Sequence, residues 1–167
     1  MSDKNAEHFA DALVQAAGKV GPAAMGLLSF AGQTIKIENP EIPLRAPRQY
    51  VKEVSGAGRL SLNFHFLAGT SQFDENASGD LDRLVELLAD PNYQQRSLLL
   101  FGFSDSAGGA KKNMALSKER ARAVADQLQM RGIKPSFVNG FGKDAPIASN
   151  ETEEGREKNR RVEVWLR

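Results

Sequence analysis

The sequence predicts an α+β domain built on a small mixed sheet with two main helices packed on one face, and three observations lead there. Arg59 to Phe66 alternates, with Leu60, Leu62, Phe64 and Phe66 on one side and Ser61, Asn63 and His65 on the other, as a half-buried strand requires. Leu81, Leu84, Val85 and Leu88 follow at i, i+3, i+4 and i+7 with Pro91 just past the end, which is helical spacing with a stop. Ser97 to Phe103 then carries five large apolar residues without alternation, the pattern of a central strand covered on both faces or partly covered by a loop.

The remaining elements continue the alternation. Ser117 is placed to cap a helix running to Gly132, with Ala121, Val124 and Leu128 facing the core. Phe137, Val138 and Phe141 form the next strand, which ends in Gly140-Phe141-Gly142, and Asn150 caps a short helix through Lys158. Arg161 to Leu166 closes the sheet, with Val162, Val164 and Leu166 inward and Arg161, Glu163 and Trp165 outward. From residue 59 the order is therefore βαβαβ(α)β. Right-handed crossovers put the two main helices on one face and leave the other at least partly open.

Before residue 59 the signals are shorter. Phe9, Ala10, Leu13, Val14 and Ala17 give an amphipathic helix over residues 5–18, and Met25 to Phe30 and Thr34 to Ile37 read as two short strands. Pro40, Pro43 and Pro47 fall within a few positions of one another, with Gly56 and Gly58 following. Prolines so dense exclude helix and disfavour central strands, so Asn39 to Pro47 reads as an extended linker and the domain boundary falls near residue 56. Residues 1–55 are an appendage too small to hold its own core, and 56–167 are the domain.

With 167 residues, 41% hydrophobic and 26% charged, the chain can bury one real core. Lys+Arg of 22 against Asp+Glu of 21 leaves a net charge of +1, so no global field draws it to nucleic acid or an acidic membrane, and recognition of charge must be local. The absence of cysteine removes disulfides, thiolate metal sites, cysteine nucleophiles and a lipid-modified cysteine. The apolar run from Ala23 to Ala31, broken by Gly26 and Ser29, is a poor signal peptide and too short to span a membrane. An extracytoplasmic role then implies that this sequence is a fragment or lacks its address.

The chemistry concentrates where the central strand ends on Asp105. Arg120, Val124 and Leu128 share one helical stripe, so a guanidinium stands at the N-terminal end of a core-facing row. Such a cation adds to the positive end of the helix and offers a seat to a carboxylate. In α/β sheets, ligands collect outside the carboxyl ends of strands, which is where Asp105 sits. Spacing leaves two readings open: Asp105 and Arg120 form a structural ion pair, or they share a ligand carrying both charges, such as the ammonium and carboxylate of a free amino-acid end.

The run Gly102-Phe103-Ser104-Asp105, Gly108, Asn113, Leu116-Ser117, Arg120-Ala121, then Gly140, Gly142, Pro146, Asn150, Gly155-Arg156 and Asn159-Arg160-Arg161-Val162-Glu163 resembles the OmpA C-terminal-like domain over residues 59–167. That family includes peptidoglycan-associated lipoproteins and the periplasmic part of flagellar motor stators. The resemblance implies non-covalent binding of peptidoglycan through the diaminopimelate of its stem peptide, in the periplasm, as the wall anchor of a fused or associated envelope protein. It implies that Asp105 and Arg120 hold the amino-acid end of the ligand and that Asn113, Leu116 and Ser104 line the pocket; Arg160 is a further candidate, although the favoured reading of Arg160 and Arg161 is that they buttress the sheet edge and the helix end. Where the family usually has His this chain has Phe103, and where it often has Tyr this chain has Lys112. Residues 1–55 resemble the closing segment of phosphate-type periplasmic solute-binding proteins at Pro22-Ala23-Ala24-Met25-Gly26 and at Ile42-Pro43-Leu44 with Arg48 and Tyr50, which implies a larger fusion.

Other chemistries find little support. Gly102-Phe103-Ser104-Asp105-Ser106 lacks the final Gly of a nucleophile elbow, and no His follows Ser104, so the chain is not expected to be an enzyme. His8 and His65 are too far apart in sequence to suggest a metal cluster, and no cofactor is implied. Gly108-Gly109-Ala110-Lys111-Lys112 and Gly140-Phe141-Gly142-Lys143 do not satisfy the phosphate-loop pattern. Trp165 has no companion row of stacking aromatics for nucleic acid. The serious rival is a structural or interaction module that keeps the fold and has lost the ligand.

Overall fold

A computed structural model describes residues 27–30 and 33–167. The expected helix over 5–18, the Pro22–Gly26 motif and the start of the first strand at Met25 lie outside the described residues. The strands are β1 (Leu27–Phe30), β2 (Gln33–Glu38), β3 (Gly58–His65), β4 (Leu98–Gly102), β5 (Phe137–Gly140) and β6 (Arg161–Leu166). They form one mixed sheet in the order β1-β2-β3-β6-β4-β5, in which the β4–β5 pair is parallel and every other pair antiparallel. The last strand of the chain thus lies in the middle of the sheet, between β3 and β4.

The helices are α1 (Arg48–Val54), α2 (Ala77–Leu88), α3 (Ala110–Met130) and α4 (Glu153–Asn159). One face is the expected one: Leu60, Leu62 and Phe64 of β3, Leu98 and Leu100 of β4, and Val162, Val164 and Leu166 of β6 pack with Leu81, Leu84 and Leu87 of α2 and Val124 and Leu128 of α3. Sheet pleating sends the alternate residues to the opposite face. There Leu99, Phe101, Phe103 and Trp165 form a second core with Phe141 and with Tyr50 and Val54 of α1, and Ile42 and Ala46 of the proline-rich stretch pack at its margin.

Several details differ from the sequence reading. The second face is covered, so every residue of β6 is buried, including Arg161, Glu163 and Trp165, which alternation alone placed outward. Residues 33–54, set apart above as part of an appendage, supply a strand paired with β3 and the helix that closes this face. Residues 39–47 are non-helical, as their prolines require, and the helix that the sequence reading did not place begins directly after Pro47, its N-terminal boundary. The long helix α3 starts at Ala110, two turns before Ser117. Ser117 sits inside it, donating to the Met114 carbonyl and accepting at 2.8 Å from the Gly142 N–H. Thr152, not Asn150, caps α4, by accepting from Gly155 N.

The close approach of α3 to the strands has a cause that glycine alone permits. A Cβ on Gly102 would run into the Ser117 carbonyl, and one on Gly140 into the backbone of Ser117 and Lys118. With both bare, the helix lies directly over the ends of β4 and β5, and its N-terminal turns reach the rim where the loops converge.

Candidate functional site

Three loops meet at that rim: residues 66–73 after β3, 103–109 after β4, and 141–152 after β5. Arg120 ties two of them together. Its guanidinium, 1% exposed, donates from Nε to the Thr70 carbonyl at 2.9 Å, from Nη1 to the Phe103 carbonyl at 3.2 Å and from Nη2 toward the Leu67 carbonyl at 3.4 Å. It also lies over the Phe66 ring, 5.4 Å from the centroid. Burial pushes its pKa down to about 10, an effect the nearby Asp105 charge opposes and the Arg160 charge reinforces.

Asp105 is not ion-paired with Arg120, as one of the two readings had it. Its Oδ2 accepts from Arg160 Nη1 at 3.0 Å, and its Oδ1 accepts from the Ala107 N–H at 2.9 Å, which fixes the turn. Arg160 is shared: its Nη2 donates to Glu153 Oε1 at 2.7 Å. Burial works against the Arg160 charge, but the bonds to Glu153 and Asp105 outweigh it and raise its pKa. Glu153 in turn is held below the usual carboxylate range by the hydrogen bonds from Arg160 and Arg156.

The other expected residues gather at the same corner. Ser104 is buried, donates to the Asp105 carbonyl at 3.0 Å and receives no other side chain, while its N–H donates to Gly142 O. Asn113, in the first turn of α3, is 3% exposed, and its Nδ2 is buried without a partner. Leu116 is half-buried, one turn further along α3. Arg160 Nε is likewise buried without a partner. The site therefore contains two carboxylates, Asp105 and Glu153, and two guanidiniums, but both carboxylates are engaged by Arg160, which leaves Arg120 without a carboxylate partner and two buried N–H donors without an acceptor.

Arg161, next to Arg160, faces the other way. It pairs with Glu163 at 2.8 Å, donates to the Ala145 carbonyl at 3.1 Å and stacks 4.0 Å from the Phe103 ring centroid. Tyr50 and Trp165 also donate to Glu163, at 2.7 and 3.0 Å. Phe103 thus belongs to the second core, and only its carbonyl serves the site. Asn159 supports Arg160 from behind, accepting from Ile147 and Ala148 N–H and donating to Ala148 O and Asn150 Oδ1. Glu153 escaped the sequence reading, since its partner is seven residues away and only the turn of α4 brings them together; two acids after the capping Thr152 were the signal available. Among the described residues no group of His, Asp or Glu is arranged to hold a metal, and no helix is long and apolar enough to cross a membrane.

Comparison with known proteins places this geometry. The chain is 43% identical over 76 residues to the probable lipoprotein YiaD of Escherichia coli (strain K12), covering 44% of this chain and 35% of that protein. It is 34% identical over 119 residues to the peptidoglycan-associated lipoprotein of Pseudomonas aeruginosa, covering 66% of this chain and 71% of that one. It is 48% identical over 65 residues to the peptidoglycan-binding protein ArfA of Mycobacterium tuberculosis, covering 38% and 20%. The match thus spans about a third of the first of these relatives. Among solved structures, the cell wall anchor of the T6SS from Pseudomonas aeruginosa superposes with a TM-score of 0.53 at 25% identity, over 66% of this chain and 80% of that one. With residues 65–160 matching the family described as the OmpA family, the chain belongs to that family.

Proposed function

We propose that this chain binds peptidoglycan without covalent attachment, through the diaminopimelate of the stem peptide, and so anchors a larger envelope protein, fused or associated, to the cell wall from the periplasm. The observation that carries the reading is the unmatched donors beside Asp105. Arg120 is a fully buried cation whose hydrogen bonds all go to neutral carbonyls, and Arg160 and Asn113 each keep an unpaired buried donor. A zwitterionic amino-acid end relieves this without changing net charge: its ammonium takes Asp105 in place of Arg160, and its carboxylate takes the guanidinium and amide donors. The names of relatives, peptidoglycan-associated lipoprotein, peptidoglycan-binding protein and cell wall anchor, support the same reading.

The proposed role is binding: a carboxylate, guanidiniums and amide donors at one rim are groups that recognise a charged ligand. Each charged hydrogen bond contributes about 1.5–3 kcal/mol, so a single site is modest and reversible, which suits a polymer presenting many copies. Co-sedimentation with purified sacculi tests it. Wild-type protein should pellet and Asp105→Ala should stay in solution with an unchanged circular dichroism spectrum. Wild-type protein remaining in the supernatant at micromolar concentration would favour the module that kept the fold and lost the ligand.

A further inference from the structure

Arg160 stands between two carboxylates that differ in kind. Asp105, on the loop after β4, has a side chain 12% exposed, and its Oδ2 accepts from Arg160 Nη1 at 3.0 Å. Glu153, the first residue of α4, has a side chain 63% exposed, and its Oε1 accepts from Arg160 Nη2 at 2.7 Å. The Arg160 side chain is only 7% exposed. Each acid thus holds one arm of the same fork, so one bond can be given up while the other stays.

Glu153 is fixed by contacts that do not involve Asp105. Thr152 caps α4 by accepting from Gly155 N at 3.1 Å, and Arg156 donates from Nε to Glu153 Oε2 at 3.0 Å while its Nη1 donates to the Asn150 carbonyl at 2.9 Å. The hydrogen bonds from Arg160 and Arg156 hold Glu153 below the usual carboxylate range, so it stays charged at neutral pH. The next acid in the same helix turn, Glu154, pairs instead with Lys158 at 2.9 Å.

On the wall-binding reading, the ligand's ammonium takes Asp105 in place of Arg160. With Asp105 as its only anionic partner, Arg160 would be left as a buried, unpaired cation beside an incoming like charge, and both effects would oppose binding. We propose that Glu153 is a positioning residue for the ligand: it retains Arg160 when the ammonium takes Asp105, and so sets the affinity of the site for a zwitterionic amino-acid end. Arg160 is then the internal occupant of Asp105 in the free protein, and the exchange costs it one of two charged bonds. The inference rests on the wall-binding reading and adds what governs exchange at that site.

Calorimetric titration of the full chain with free meso-diaminopimelate at neutral pH tests this. Glu153→Gln should bind the probe about three- to tenfold more weakly than wild type, and the difference should shrink as salt is raised. Glu153→Asp, which restores the charge, should return the affinity to within about twofold of wild type. Glu154→Gln removes the other acid from the first turn of α4, with the same change of net charge and the same effect on the helix end, and should leave the affinity unchanged. Wild-type affinity in Glu153→Gln, an equal loss in Glu154→Gln, or no recovery in Glu153→Asp overturns this inference alone. Failure of the wild type to bind the probe overturns the wall-binding reading together with it.

Discussion

Arg120 is buried as deeply as a core leucine, yet its hydrogen bonds end on backbone carbonyls of loops far apart in sequence. One side chain thus both orients the rim and supplies its charge, and Arg120→Ala should show both losses. We expect a fall of about 3 kcal/mol in unfolding free energy by urea titration, because the Leu67, Thr70 and Phe103 carbonyls lose their donor, together with loss of sacculus binding. Asp105→Ala separates the two effects, since Arg160 keeps Glu153 as partner. Tyr50 makes a second residue-level prediction. Burial, then the Glu163 charge and hydrogen bond, raises its pKa well above the ordinary value of 10.0. Below pH 10 folded and unfolded chains both hold the proton, and its stabilisation is complete. Above pH 10 the unfolded chain releases the proton and the folded one does not, so stability falls by about 1.4 kcal/mol per pH unit from this group. The stability advantage of wild type over Tyr50→Phe should therefore shrink as pH rises above 10, a difference in which other alkaline titrations cancel.

At the scale of elements, the site exists because α3 can lie against the ends of β4 and β5. Gly140 has no positive φ among its needs, so the argument for it is contact alone: a methyl group there meets Ser117 and Lys118 of the helix. Gly140→Ala should cost about 1–3 kcal/mol in denaturant and weaken sacculus binding by displacing the turn that carries Asn113. The sequence showed this helix but misplaced its start. Ser117 is a good cap by residue type, and only the tertiary structure reveals that its hydroxyl is spent on Met114 O and Gly142 N. The loop Gly108-Gly109 lacks a capping side chain, which removed the usual signal for where α3 begins.

For the whole molecule, the second core decides how much chain the fold requires. Tyr50 lies edge-on to Phe101, Phe103, Phe141 and Trp165, with centroids 5.4 to 6.1 Å away, and its hydroxyl closes the shell of donors around Glu163. A chain beginning at residue 56 would expose these aromatics and remove one of the donors to a buried carboxylate. Such a truncation should bind a hydrophobic dye that the 167-residue chain does not bind, and its urea midpoint should fall.

Local pattern was enough for the strands and the two main helices, because alternation and helical spacing report directly which residues one apolar face demands. The ordered motifs around Asp105 and Arg120 were equally legible as family motifs, since they keep their order in the chain and fall within residues 65–160 that match the OmpA family. Which charge meets which was not: Asp105 chose Arg160 over Arg120, and Arg161 turned from the site into the second core. Those choices depend on β6 inserting between β3 and β4 and on α1 folding over the far face. Both are long-range events, in which burial of aromatic surface and pairing of desolvated charges outweigh local preference.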